Sequence, residues 1–216
     1  MPLGTRRFVT TLVLMTSATT PLPERGDGNF ARDFVPPTHR GLRLVRIFLP
    51  LLDSARRPVR WSQFVDLENA SASLSWWELV DEVADDFPEV RDLVSCGGEL
   101  DEATAEALQD AVGDSLLQSL RWDGYWENPA SSNPVYVYEH EYSLADLLRS
   151  DLRAGTRIPE FVWDEAGTFA WGARLYPDSL IVACRPGNFT KLRADPRLDT
   201  VTIRLERDIL PPSFGD

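Results

Sequence analysis

Lysine is all but missing from this chain: Lys191 stands alone among 22 basic residues, the others being arginine. Nothing in protein physical chemistry demands that skew, so it points to a GC-rich coding sequence of bacterial or phage origin. Cysteine is scarce as well. Cys96 and Cys184 have no short Cys or His spacing around them, which excludes a zinc knuckle and a disulfide framework and leaves two reduced, partly buried thiols. Two histidines, His39 and His140, leave little room for imidazole chemistry. No Gly-x-Ser-x-Gly elbow, Gly-rich phosphate loop or His-Glu-x-x-His pattern accompanies them, so neither a metal nor a cofactor is expected. Nowhere do about 18 uninterrupted apolar residues occur, so no membrane span is predicted. Arg6-Arg7 followed by Phe8 to Met15 imitates a secretory leader, but Thr10 and Thr11 break the apolar run and no clean cleavage site follows. The chain is therefore expected in the cytoplasm, with export through a poor signal as the alternative; a first strand over Phe8 to Leu14 explains the same residues.

What the chain does have is segregated charge. Residues 1–60 carry 10 Arg against 4 acids, residues 61–151 carry 3 Arg against 21 acids, and residues 152–216 carry 9 basic against 9 acidic groups. The net charge of −12 thus sits in the middle of the chain, where it attracts cationic partners over about a Debye length, ~8 Å in physiological salt. Direct nucleic-acid binding is disfavoured by the same field.

A hydrophobic fraction of 43% and a charged fraction of 26% are ordinary globular values, so the chain is expected to fold. At this length it is expected to form one α+β domain over residues 41–216, preceded by an arm or linker over residues 1–40. Pro36-Pro37 forbids regular pairing in the arm. Leu42 to Leu49 reads as a strand with one wet side, marked by Arg43 and Arg46. A basic elbow, Arg56, Arg57 and Arg60, leads into the acidic block of residues 61–151.

That block reads as helical. Ser75 and Glu78 form a Ser-x-x-Glu capping box, and a helix from Ser75 places Trp76, Leu79, Val80, Val83, Ala84 and Phe87 on one side. Glu78, Asp81, Glu82, Asp85 and Asp86 fall on the other, and Pro88 ends the helix. A second helix is expected from Asp101 to Leu120, with Leu116 on its buried side and Glu102, Glu106, Asp110 and Asp114 in an outward row. A third is signalled by Ser143 with Leu144, Leu147, Leu148 and Leu152, ending at Gly155. The last third reads as a β-meander, Phe161–Trp163, Thr168–Leu175, Leu180–Cys184 and Thr200–Leu205, joined by Val135–Tyr138 in a mostly antiparallel sheet covered on one side by the three helices.

Like charges four residues apart cost a helix about 0.2 to 0.5 kcal/mol per pair, and no Lys or Arg lies between Arg60 and Arg91. The two acid rows are therefore either a solvated face or a docking face for a basic protein. The expected function is the second: a non-enzymatic inhibitor, immunity factor or adaptor. Nucleic-acid mimicry is a variant of it. Carboxylates four residues apart rise about 6 Å along a helix, against about 3.4 Å between phosphates, so two helices side by side would be required. The basic elbow is expected to clamp the N-terminal third onto the acidic block.

A second reading uses aromatics. Trp76, Trp77, Trp163 and Trp171 sit at core positions, but Trp122, Tyr125 and Trp126 fall among Gly, Asn, Pro and Ser, where a ring has no periodic reason for burial. They either fold back over the sheet or form a platform for a small molecule or carbohydrate. Glu139, His140 and Glu141 would then supply acid–base groups for a hydrolase, although neighbours on a strand face opposite ways.

Overall fold

The computed structural model describes residues 30–125, 134–137, 140–175 and 177–208. The fold is α+β, built on a large antiparallel sheet. In chain order the elements are β1 (Arg43–Phe48), β2 (Leu51–Leu52), β3 (Pro58–Val59), α1 (Trp76–Val83), β4 (Val94–Ser95), α2 (Glu102–Val112), β5 (Leu117–Trp122), β6 (Pro134–Val137) and β7 (His140–Leu147). Then come β8 (Phe161–Trp163), β9 (Phe169–Gly172), β10 (Ser179–Cys184), α3 (Pro186–Ala194) and β11 (Asp199–Ile203). The large sheet runs β11-β1-β10-β9-β8-β5-β7-β6, and a small one runs β3-β2-β4. The expected meander and the strand near Val135 are both present; the expected strand at Phe8–Leu14 lies outside the described residues.

Strand alternation sends side chains to both faces of the large sheet, and both are buried. Val45 and Ile47 of β1, Val182 of β10 and Trp171 of β9 face α2 and α3 and pack with Leu108 and Leu192. Phe48 of β1 and Val201 of β11 face the other way, onto Trp61 and onto Trp76 and Leu79 of α1. The helices therefore lie on two faces rather than one. Burial on both sides also explains why β1 lacks the wet side that its arginines suggested.

Arg46 is fully buried. Its guanidinium donates to the carbonyls of Ala72 at 2.9 Å and Leu74 at 2.8 Å and to Ser179 Oγ at 2.9 Å, and lies 4.4 Å over the Phe48 ring. Nη2 makes no hydrogen bond and approaches Asp178 only to 3.8 Å. Burial lowers the group's pKa to about 10 against the opposing pull of Asp178. A buried arginine is tolerated because the loop before α1 turns its carbonyls inward to meet it.

Three local readings change. The second helix stops at Val112, where Gly113 adopts φ +61°, and the chain re-emerges as β5 with Leu116 63% exposed in the connection. The third helix is absent: residues 143–147 belong to β7, paired with β5 from Leu117↔Leu147 to Trp122↔Tyr142, and only a 3-10 turn, Arg149–Asp151, follows. A helix lies instead at α3, with Pro186 at its first turn. Residues 30–40 form two 3-10 turns. The first packs Phe34 and Val35 on Leu44, Ile181 and Ile203, and its main chain occupies the space that any side chain at Gly172 would need.

Replacing Arg46 with Met leaves two inward carbonyls without a donor, each costing about 1 to 3 kcal/mol. Urea unfolding is expected to show a loss of about 2 to 4 kcal/mol with an unchanged m value; an unaltered midpoint would contradict this role.

Candidate docking surface

α1 starts where its capping box puts it. The Ser75 amide donates to Glu78 Oε2 at 2.8 Å, and the Glu78 amide donates to Ser75 Oγ at 3.2 Å. Trp76 and Leu79 are buried, while Trp77, 100° further round the helix, is 56% exposed. Trp77 therefore departs from the core position expected for it; Trp76, Trp163 and Trp171 keep theirs.

The two acid rows differ. On α2, Asp110 is met by Arg149 at 3.0 Å and by Arg197 at 2.8 Å, and Arg197 also lies 3.5 Å from Glu106 and 2.7 Å from Asp195. Asp195 most strongly, and Asp110 next, hold the Arg197 pKa above its ordinary value. Glu102 and Asp114 at the two ends are exposed. On α1 and the turn after it, Glu78 is engaged in the cap and exposed Asp85 lies 3.6 Å from exposed Arg91. No ion pair among the described residues reaches Asp81, Glu82 or Asp86, all of them exposed.

The basic elbow clamps as its charge implies. Arg60 donates to Asp101 at 2.9 Å and to Thr104 at 3.0 Å, tying the chain after β3 to the first turn of α2, and Arg56 reaches Glu99 at 3.1 Å. Arg57 closes its own turn on Asp53.

Beside the α1 row lies a groove of about 630 Å3 between the helix and β4, walled by Trp77 and Val80 on one side and Leu93 and Val94 on the other, with Arg91 at its rim. Val94 is 53% exposed. No sequence pattern announced this groove, because its walls are single apolar residues in two segments that the fold brings together.

The aromatic group resolves differently. Tyr125 is buried, stands edge-on to Trp122 with ring centroids 5.1 Å apart, and lies 4.3 Å beneath the Arg157 guanidinium. Its hydroxyl donates to Glu160, which also takes the Trp122 amide at 2.9 Å. The ring is thus folded back over the sheet. Glu141 is exposed on β7. Trp126 and Glu139 lie outside the described residues, as does the side chain of His140, whose backbone pairs with Val137.

Two buried polar centres were not legible in the sequence. His39 Nε2 lies 3.0 Å from Asp164 and Nδ1 lies 3.0 Å from Thr38 Oγ1, a hydroxyl–imidazole–carboxylate chain with the two ring nitrogens exchanged relative to an acyl-transfer triad. Asp164 also takes the amides of Thr168 at 2.7 Å and Phe169 at 3.2 Å, so the trio pins the 37–39 turn to the β8–β9 hairpin. Burial raises the Asp164 pKa, but hydrogen bonds from Thr168, His39 and Phe169 outweigh it and leave the carboxyl below its ordinary value. Glu160 is the opposite case: burial pushes its pKa up, past the pull of Tyr125 and Trp122. Burial likewise lifts the thiols of Cys96 and Cys184 to about 11 and about 12, so both are protonated and inert at neutral pH. Among the described residues no cluster of His, Cys, Asp and Glu is placed to hold a metal ion, and no helix is long and apolar enough to cross a membrane.

Because the folded state holds the Glu160 proton more tightly than the unfolded chain, stability falls as pH rises through the window between the unfolded and raised folded values. Glu160→Gln is expected to flatten that part of the stability profile and to match or exceed the parent at pH 7; a variant less stable at pH 7 with the slope intact would contradict it. No family model, curated protein or solved structure matches the chain.

Proposed function

We propose that this protein is a non-enzymatic binding protein of the inhibitor, immunity or adaptor kind, which docks a basic protein through the acidic face of α1 and the turn that follows. One observation carries the reading: between residues 78 and 92 the chain presents Glu78, Asp81, Glu82, Asp85, Asp86, Glu89 and Asp92 against a single cation, Arg91. Like charges four residues apart, Glu78 with Glu82 and Asp81 with Asp85, destabilise the end of α1, and a cationic partner relieves that cost. The α2 row is a poorer candidate, since Arg149 and Arg197 already neutralise its middle.

Nucleic-acid mimicry gains nothing from the arrangement. The two acid helices pack on opposite faces of the large sheet and do not supply the paired rows that phosphate spacing requires. Burial of Tyr125 likewise removes the central ring of the proposed ligand platform. A reducing cytoplasm, bacterial or phage in origin, suits the two buried free thiols and completes the reading.

The test compares two charge-neutralised variants for binding to an interacting basic protein. Asp81→Asn/Glu82→Gln/Asp86→Asn is expected to weaken association by at least about tenfold, mainly through the association rate, and to reduce its salt dependence. Glu106→Gln/Asp110→Asn is expected to leave it nearly unchanged. Equal losses in both variants, or affinity that does not fall between low and high salt, would overturn the proposal.

A further inference from the structure

The geometry points to an occupant for the groove between α1 and β4: an extended, cationic segment of the partner protein, added to β4 as a fourth strand of the small sheet. The inference rests on the acidic docking face proposed above and specifies what that face receives.

The small sheet has two outer strands, and they are not equivalent. β3 carries Pro58, opposite Leu52, and proline has no N–H to offer an incoming strand. Among the described residues β4 pairs only with β2, through Leu51↔Ser95 and Leu52↔Val94; main-chain groups alternate along a strand, so Val94 faces β2 and Ser95 turns its N–H to the open edge. Strand addition at such an edge takes its affinity from main-chain hydrogen bonds and its selectivity from pockets for alternate side chains. The pocket is present on the same edge, where Val94 and Trp77 are more than half exposed across a groove of about 630 Å3. A docked helix would fill the groove and leave the β4 edge unpaired.

The rim sets the charge of the occupant. Asp81 lies one turn beyond Trp77 on the same side of α1, Asp85 partly neutralises Arg91 at the mouth, and Glu89 and Asp92, both exposed, precede β4 in the chain. A segment with valine, isoleucine or leucine at one parity and arginine or lysine at the other buries the first set against Trp77, Val80 and Val94. Within the paired stretch the second set faces away from α1, and it reaches the carboxylates of the rim where the segment runs on past the two residues of β4. A second copy of this chain is a poor occupant because it brings the same acidic row and meets like charge.

The probe is a fluorescein-labelled peptide of about six residues alternating arginine and valine, read by anisotropy, together with amide hydrogen exchange over residues 93–97. A second peptide has the same side chains with alternate amides N-methylated, which removes strand donors without changing charge. The first peptide is expected to bind at low salt and slow exchange at Ser95. The methylated peptide, and the variant Val94→Lys with its circular dichroism unchanged, are expected to bind at least about tenfold more weakly. Equal binding of both peptides with no change in exchange over residues 93–97 overturns strand addition and leaves acidic docking standing. Failure of both peptides to bind at low salt overturns both.

Discussion

A guanidinium buried against the large sheet, on the strand next to its β11 edge, governs where the acidic face sits. Arg46 on β1 takes the carbonyls of Ala72 and Leu74, the last residues before the cap at Ser75, so the start of α1 is tied to a central strand. The capping box then fixes the first turn, and Trp76 and Leu79 seat the helix on Phe48 and Trp61. A buried cation is costly unless its donors are used. Here one donor set is spent on main-chain carbonyls that would otherwise be buried unpaired, so Arg46 and the loop satisfy each other. Substitution of either side leaves the remaining groups stranded, which makes this contact harder to replace than an apolar pair.

From that anchor the electrostatics follow a simple division. Arginines from the C-terminal third and from the 149–151 turn close over α2, while Arg60 holds the first turn of the same helix. Surface pairs of this kind contribute about 0 to 1 kcal/mol each, so their effect on stability is small. Their effect on the proposed recognition would be larger, since they neutralise the middle of the α2 row and leave Asp81, Glu82 and Asp86, on α1 and the turn after it, as an unpaired stretch of the acidic block among the described residues. In the proposed docking, the groove beside α1 would add the apolar contact that charge alone lacks: carboxylates would steer an approaching cation, and burial against Trp77 and Val94 would slow its departure.

Much of this was legible in the sequence where one local rule dominates. The Ser75–Glu78 box placed α1 because capping is a short-range contact, and the short break between the expected strands Phe161–Trp163 and Thr168–Leu175 placed the β8–β9 hairpin. Leucine spacing misled at residues 143–152, where Leu144, Leu147 and Leu148 imitate a helical stripe. The pairing of β7 between β5 and β6 overrides that propensity, as tertiary context commonly does. Gly113 explains the early end of α2, and weak segregation of apolar residues explains why α3 escaped notice. Arg46 was misread as marking a wet strand face, because its partners lie 26 to 133 residues away along the chain. The groove wall and the His39–Asp164 contact, 125 residues apart, are products of the fold and leave no mark on any short stretch of sequence.

The most direct measurement is a backbone amide NMR titration of the intact protein with a short polyarginine peptide at low and high salt. Shift changes are expected to concentrate on residues 78–94 and to collapse as salt rises, with residues 102–114 of α2 nearly silent. Changes centred on α2, or spread evenly over both acidic helices, would contradict it.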